Sequence, residues 1–174
     1  MNDASVGLEE PVGPARAAHR ALAERERTCA TAESLTGGLI GARLTAVPGA
    51  SATYRGGVIV YATDTKASTL GVPEDLLAEH GAVHPDVATH MARGVRDLMG
   101  ADLGLAVTGV AGPQPQDGQP VGTVHAAVAT SDGIFAREFR FAGGRSGIRD
   151  RTVEGALALL VSVLEGNVAE NTRR

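Results

Sequence analysis

The alternation of apolar and polar positions divides the chain into short segments of two periods. Over 15–27 the apolar Ala18, Leu22 and Ala23 recur at helical spacing among Arg and Glu, which predicts a first amphipathic helix. A short apolar run predicts a strand over 28–33. It leads through Ser34-Leu35-Thr36-Gly37-Gly38 into a helix that stops near Val47-Pro48-Gly49, where proline forbids continuation. Residues 53–61 are rich in β-branched and aromatic side chains and predict a second strand, in which Gly56-Gly57 marks a bulge or a close backbone approach. Two helical pieces follow, over 74–79 and 85–99, the longer with Val87, Met91, Val95 and Leu98 on one face. The run over 103–108 is apolar without alternation, the pattern of a central strand covered on both faces. Segments 121–130 and 134–141, joined by Ser131-Asp132-Gly133, predict a hairpin. A last helix over 148–164 carries Val153, Ala156, Leu157, Leu160 and Leu164 as its buried stripe.

Together these elements predict a three-layer α/β/α sandwich on a mixed, mostly parallel sheet of about five strands. No repeat or second domain emerges, so 15–168 is expected to be one domain. Residues 1–14, polar and broken by Gly7, Pro11, Gly13 and Pro14, are expected to be a loose tail.

Composition narrows the classes. A chain of 174 residues can bury a full core without disulfides or metal. A formal charge of −4, with Lys and Arg scattered, gives no electrostatic reason to expect nucleic acid. Aromatic residues make up 3% and tryptophan is absent, so the core must come from Ala, Val, Leu and Ile, and base-stacking platforms are not expected. The single cysteine, Cys29, excludes an internal disulfide and reads as a buried reduced thiol. No apolar run is long enough to span a membrane and the N-terminus has no signal pattern, so a cytoplasmic location without membrane partners is expected.

Three polar features fall at expected strand ends. Ser34 lies where a strand gives way to a helix, so its hydroxyl can cap the helix N-terminus or be assisted there as a nucleophile. Lys66 follows the second strand. A Ser–Lys dyad is a known variant of nucleophilic catalysis, provided that the lysine's pKa is depressed. The alternative is a solvated lysine at the start of a helix capped by Asp64 or Thr65. Tyr61 either joins the chemistry or covers the core. The third feature is Thr108-Gly109-Val110-Ala111-Gly112-Pro113 with the long loop after it, the usual location of ligands at the carboxyl end of an α/β sheet. Its glycines fit neither a P-loop nor the dinucleotide fingerprint. His80, His84 and His90 do not share a helix face, because Gly81 and Pro85 intervene, and no metal site is expected. His19 and His125 are isolated and read as structural.

Taken in order, Ala-Glu-Ser-x-Thr-Gly-Gly at 32–38, Val-Pro-Gly-Ala-Ser at 47–51, Gly-Gly-Val-x-x-Tyr at 56–61 with Lys66, Gly-Ala-Val at 81–83, Val-Thr-Gly-x-Ala-Gly-Pro at 107–113 and Val-Gly-Thr-Val at 121–124 resemble the CinA carboxyl-terminal domain family. That family comprises nicotinamide-nucleotide amidohydrolases and the second domain of competence-damage-inducible proteins. The resemblance implies a deamidase converting nicotinamide mononucleotide into nicotinate mononucleotide and ammonia, with no cofactor and no metal, in a homo-oligomer, often a dimer. It places Ser34, Tyr61 and Lys66 in the catalytic positions. On this reading the N–H groups of Thr36, Gly37 and Gly38 hold the oxyanion, and Thr108, Gly109, Gly112 and Arg145 bind the phosphate. Three positions depart from the family pattern: Leu35 replaces a usual cysteine, His84 a usual serine, and Ala-Gly-Pro-Gln-Pro-Gln-Asp-Gly at 111–118 a usual Ala-Gly-Pro-Asp-Gly-Gly. The family's molybdopterin-biosynthesis-like domain is missing, so the chain reads as a stand-alone version. The alternatives are a non-catalytic nucleotide-binding or regulatory module, and a serine amidase with another substrate.

Overall fold

A computed structural model describes residues 13–168, and the expected tail lies almost wholly outside them. The elements in chain order are α1 (Pro14–Glu24), β1 (Cys29–Glu33), α2 (Leu39–Thr45), a 3₁₀ turn at Ala50–Ala52, β2 (Tyr54–Ile59), α3 (Thr63–Leu70), α4 (Glu74–His80), α5 (Pro85–Met99), β3 (Leu103–Gly109), β4 (Thr123–Ala129), β5 (Ile134–Arg140) and α6 (Arg145–Leu164). The sheet runs in the order β2-β1-β3-β4-β5. β1 pairs in parallel with both β2 and β3, and β4 pairs antiparallel with β3 and β5. The sheet is therefore mixed, as expected, with β4 opposing the other four strands.

The apolar runs are explained by position. β1 and β4 are buried along their whole length and β3 along all but its last residue, since helices cover both sheet faces. On one face α1, α2 and α6 supply Leu22, Ile40, Leu44, Ile148, Leu157 and Leu160 against Leu105, Val107, Val124 and Val128. On the other, α3, α4 and α5 supply Leu70, Leu77, Val87, Met91 and Val95 against Ala30, Ala32, Ala106 and Ala127. The second face is lined by small side chains, and α5 comes close: a Cβ at Gly104 would lie 2.0 Å from the Ala92 carbonyl oxygen. Gly57 is likewise a close approach, since a Cβ there would meet Thr31 Oγ1 at 2.2 Å. A register shift between β1 and β2 opposite Arg55 supplies the bulge.

Two boundaries differ in ways that bear on the site. Helix α3, expected only under the alternative reading of Lys66, hides its buried face behind a polar composition: within it, Lys66 and Leu70 alone are buried. Helix α6 begins at Arg145, which places that arginine on its first turn.

Candidate active site

The parallel strands β1, β2 and β3 end on one edge of the sheet, and each delivers a polar group there. Ser34 follows the last residue of β1, with its N–H donating to Val107 O at 3.2 Å. It does not cap α2. Gly38 is the N-cap residue, in a left-handed conformation at φ +100°, and the capping acceptor is Glu33. The buried Glu33 carboxylate accepts from the N–H groups of Gly38 (3.0 Å), Ile40 (3.0 Å) and Gly41 (2.9 Å). These charge-assisted bonds satisfy the helix start and leave the serine hydroxyl free for other work.

Lys66 is one turn into α3 and points back toward the end of β2. It is 1% exposed, so the solvated-lysine reading does not hold. Its Nζ lies 2.8 Å from Val60 O, 3.3 Å from Tyr61 O and 3.2 Å from Ser34 Oγ. Burial pulls its pKa down to about 8, against the opposing charges of Asp117 and Asp64. Cys29, by contrast, is pushed up to about 12 by burial and is a poor nucleophile at neutral pH.

Ser34 and Lys66 face a cleft of about 280 Å³ that is also lined by Leu35, Tyr61, Ala82, Val83, Thr108, Gly109, Gly112 and Arg145. Arg145 bridges its mouth, donating to Gly112 O at 2.8 Å and to the Tyr61 hydroxyl at 2.8 Å. The structure places the other expected site groups as follows. The Tyr61 hydroxyl is bonded to Arg145 at the mouth, and it is the Tyr61 carbonyl that meets Lys66. Thr36, Gly37 and Gly38 do not line the cleft. The Gly37 N–H donates to Ser34 O and that of Gly38 to Glu33, so neither is free for an oxyanion. The Thr108 hydroxyl donates to Ala82 O at 2.7 Å, which ties β3 to the loop before α5 and leaves no proton for a phosphate.

The loop after Gly112 and the segment before α5 complete the site. Gln114 and Gln116, in the loop that departs from the family pattern, line the cleft with neutral amides. Asp117 accepts from the Ala82 N–H at 2.7 Å and clamps that loop to residues 81–83. Gly81 has to be glycine here, since a Cβ would lie 2.3 Å from Asp117 Cγ. His84, in the usual serine's place, does a serine's local work: its Nδ1 accepts from Asp86 N–H at 3.2 Å and caps α5. An acidic residue at the end of a strand that is otherwise uncharged was the available signal for Glu33. The pairwise contacts of Asp117 carry no local signal, because its partner is 35 residues away.

A family model described as the CinA C-terminal domain matches residues 13–164. The chain belongs to this family. A CinA-like protein of Frankia casuarinae is 54% identical over 145 residues, which are 83% of this chain and 34% of that protein. Another from Geobacter sulfurreducens is 51% identical over 139 residues, 79% of this chain and 34% of its own length. The chain thus spans about a third of the length of these curated relatives. Among solved structures, a CinA-superfamily protein from Klebsiella pneumoniae superposes with a TM-score of 0.85 at 34% identity, covering 88% of this chain and 96% of that one. The competence/damage-inducible protein of Agrobacterium tumefaciens gives 0.81 at 37% identity, covering 87% and 95%. Among the described residues, no helix is long and apolar enough to cross a membrane.

Proposed function

We propose that this CinA-family chain is an amidohydrolase that deamidates nicotinamide mononucleotide to nicotinate mononucleotide and ammonia, with Ser34 as nucleophile and Lys66 as base. The observation that carries the reading is the bonding of Lys66. A neutral amine has two protons and one lone pair. With the carbonyls of Val60 and Tyr61 accepting the two protons, the lone pair is left for the Ser34 hydroxyl 3.2 Å away. A base with a pKa of about 8 is neutral in a useful fraction near physiological pH.

In this mechanism Ser34 Oγ attacks the carboxamide carbon as its proton passes to Lys66 Nζ. The tetrahedral intermediate collapses with cleavage of the C–N bond, and Lys66 returns the proton to the departing nitrogen, which leaves as ammonia. Water, activated by the same amine, then cleaves the acyl-enzyme. The positive pyridinium makes the carbon more electrophilic. Leu35, the residue after the nucleophile, lines the cleft and its N–H takes over the oxyanion role from Thr36–Gly38. Arg145, with the backbone of Gly109 and Gly112 and the amides of Gln114 and Gln116, receives the phosphate and ribose. A homo-oligomer in the cytoplasm is part of the same proposal.

The test is ammonia release from nicotinamide mononucleotide by the purified protein, beside the riboside, free nicotinamide and a panel of simple amides, with Ser34→Ala as control. Turnover of the mononucleotide that is abolished in the variant supports the reading. Turnover of other amides alone would transfer the dyad to another substrate. No turnover of any amide would leave a nucleotide-binding module.

A further inference from the structure

The backbone of the turn over 34–38 has two unusual charged partners, neither of which lines the cleft. Upstream, the Glu33 carboxylate accepts from the N–H of Gly38 at the end of the turn and from those of Ile40 and Gly41 in the first residues of α2. From the opposite direction Arg149, on α6 and more than a hundred positions away, donates through Nε to Leu35 O at 2.9 Å and through Nη2 to Thr36 O at 3.1 Å. Those are the two carbonyls immediately after the serine. Gly37 and Gly38 have φ of +58° and +100°, so the turn is not part of a regular ladder. Its own hydrogen bonds are few: Gly37 N–H to Ser34 O and Leu39 N–H to Thr36 O. A chain segment of this kind samples other conformations unless its donors and acceptors are met from outside.

We infer that Glu33 and Arg149 are positioning residues for Ser34, a clamp of opposite charges that holds the N–H groups where the turn enters α2 and the two carbonyls just after the serine. The clamp fixes Ser34 Oγ against Lys66 Nζ. It rests on the dyad mechanism proposed above and adds to it the device that sets the dyad's geometry. Arg149 and Arg145 are one helical turn apart on α6, so one helix governs both the nucleophile turn and the mouth of the cleft. The division of labour between them is clear: Arg145 faces the cleft and Arg149 faces backbone.

The test uses Arg149→Ala, Arg149→Lys and Glu33→Gln in the full chain. A reacting atom displaced by about 1 Å costs on the order of 100-fold in rate, so Arg149→Ala is expected to lower kcat for ammonia release by about 10- to 100-fold while KM changes by less than about threefold. Lysine can donate to one of the two carbonyls and should restore part of the loss. Guanidinium ion at tens of millimolar should restore part of it in the alanine variant, where sodium chloride should not. In a crystal structure of Arg149→Ala, Ser34 Oγ is expected beyond hydrogen-bond distance of Lys66 Nζ. Glu33→Gln keeps the shape but turns an N–H donor toward the Gly41 N–H, and should show the same kcat-weighted loss. A folded Arg149→Ala protein with parental kcat, or one whose crystal structure keeps the Ser34–Lys66 hydrogen bond, overturns the inference and leaves the dyad mechanism standing. If the parental protein releases no ammonia, the proposed function fails, and the crystal structure of the variant alone decides the clamp. If the alanine variant does not fold, Arg149→Lys carries the same readouts.

Discussion

The cleft contains two cations, and its floor and its mouth treat them in opposite ways. Lys66 at the floor is almost fully buried, makes hydrogen bonds to two carbonyls and a serine, and has its pKa lowered to about 8 by the loss of water. Arg145 at the mouth is exposed and bonded to a tyrosine hydroxyl and the Gly112 carbonyl. A proton-transfer group needs a charge that is cheap to lose, which burial provides. An anchor for an anion needs a charge that persists, together with enough spare N–H donors to meet two oxygens, and a guanidinium has five. Two positive residues in one pocket therefore suit opposite tasks because of where the fold puts them.

The largest effect that tests this division is at the floor. Lys66→Met, which keeps the length and apolar stem, is expected to lower kcat by about 10²- to 10⁴-fold with KM little changed. Lys66→Arg should be as damaging, since guanidinium cannot accept the serine proton. Steady-state kinetics of ammonia release measure both. An arginine variant that keeps most of the parental kcat would make Lys66 a mere charge and erase the contrast with Arg145.

At the mouth the expected loss is smaller and falls on the other constant. Arg145→Ala should raise KM for the mononucleotide by about 10- to 100-fold, the value of one or two charge-assisted hydrogen bonds, while kcat stays within a fewfold. The riboside, which lacks the phosphate, should be nearly indifferent to the substitution. Equal losses for riboside and mononucleotide would move Arg145 away from the phosphate and toward shaping the Tyr61 wall.

How far the amino-acid pattern reached differs between these regions for physical reasons. The strands, their hairpin and the long helices were readable because buried elements advertise themselves in apolar periodicity. Ser34 stood out by type and by its place at a strand end, whereas spacing left Lys66 open to a solvated reading and the family resemblance placed it. What was hidden depends on partners remote in sequence. A polar helix such as α3 shows no stripe when one of its two buried residues is a lysine. The spent hydroxyl of Thr108 is bonded to Ala82, and the half-buried Arg149 to Leu35, and neither partnership leaves a local trace. A cap is one of the two readings open to Ser34, because a hydroxyl at a helix start is the usual device; the fold uses the carboxylate next to it, which can reach three N–H groups where a hydroxyl reaches one.

The smallest effect concerns how the floor is tuned. With Lys66 as base, kcat/KM should rise with pH as the ammonium loses its proton and level off above about 8. Burial is the main cause of that lowered value, and the negative charges of Asp117 and Asp64 work against it by favouring the ammonium. Asp117→Asn removes one opposing charge, and an asparagine oxygen can still accept from the Ala82 N–H. The pKa of Lys66 should then fall further, so the midpoint of the profile moves to lower pH and the plateau begins earlier. The direction is what discriminates: a substitution that only loosened the loop would lower the plateau without moving the midpoint. Arg145→Ala provides the contrast, because burial, Asp117 and Asp64 are the causes that set the Lys66 value, and its profile should stay near the parental midpoint despite the raised KM. A midpoint that follows Arg145 and ignores Asp117 would place the titrating group at the mouth of the cleft.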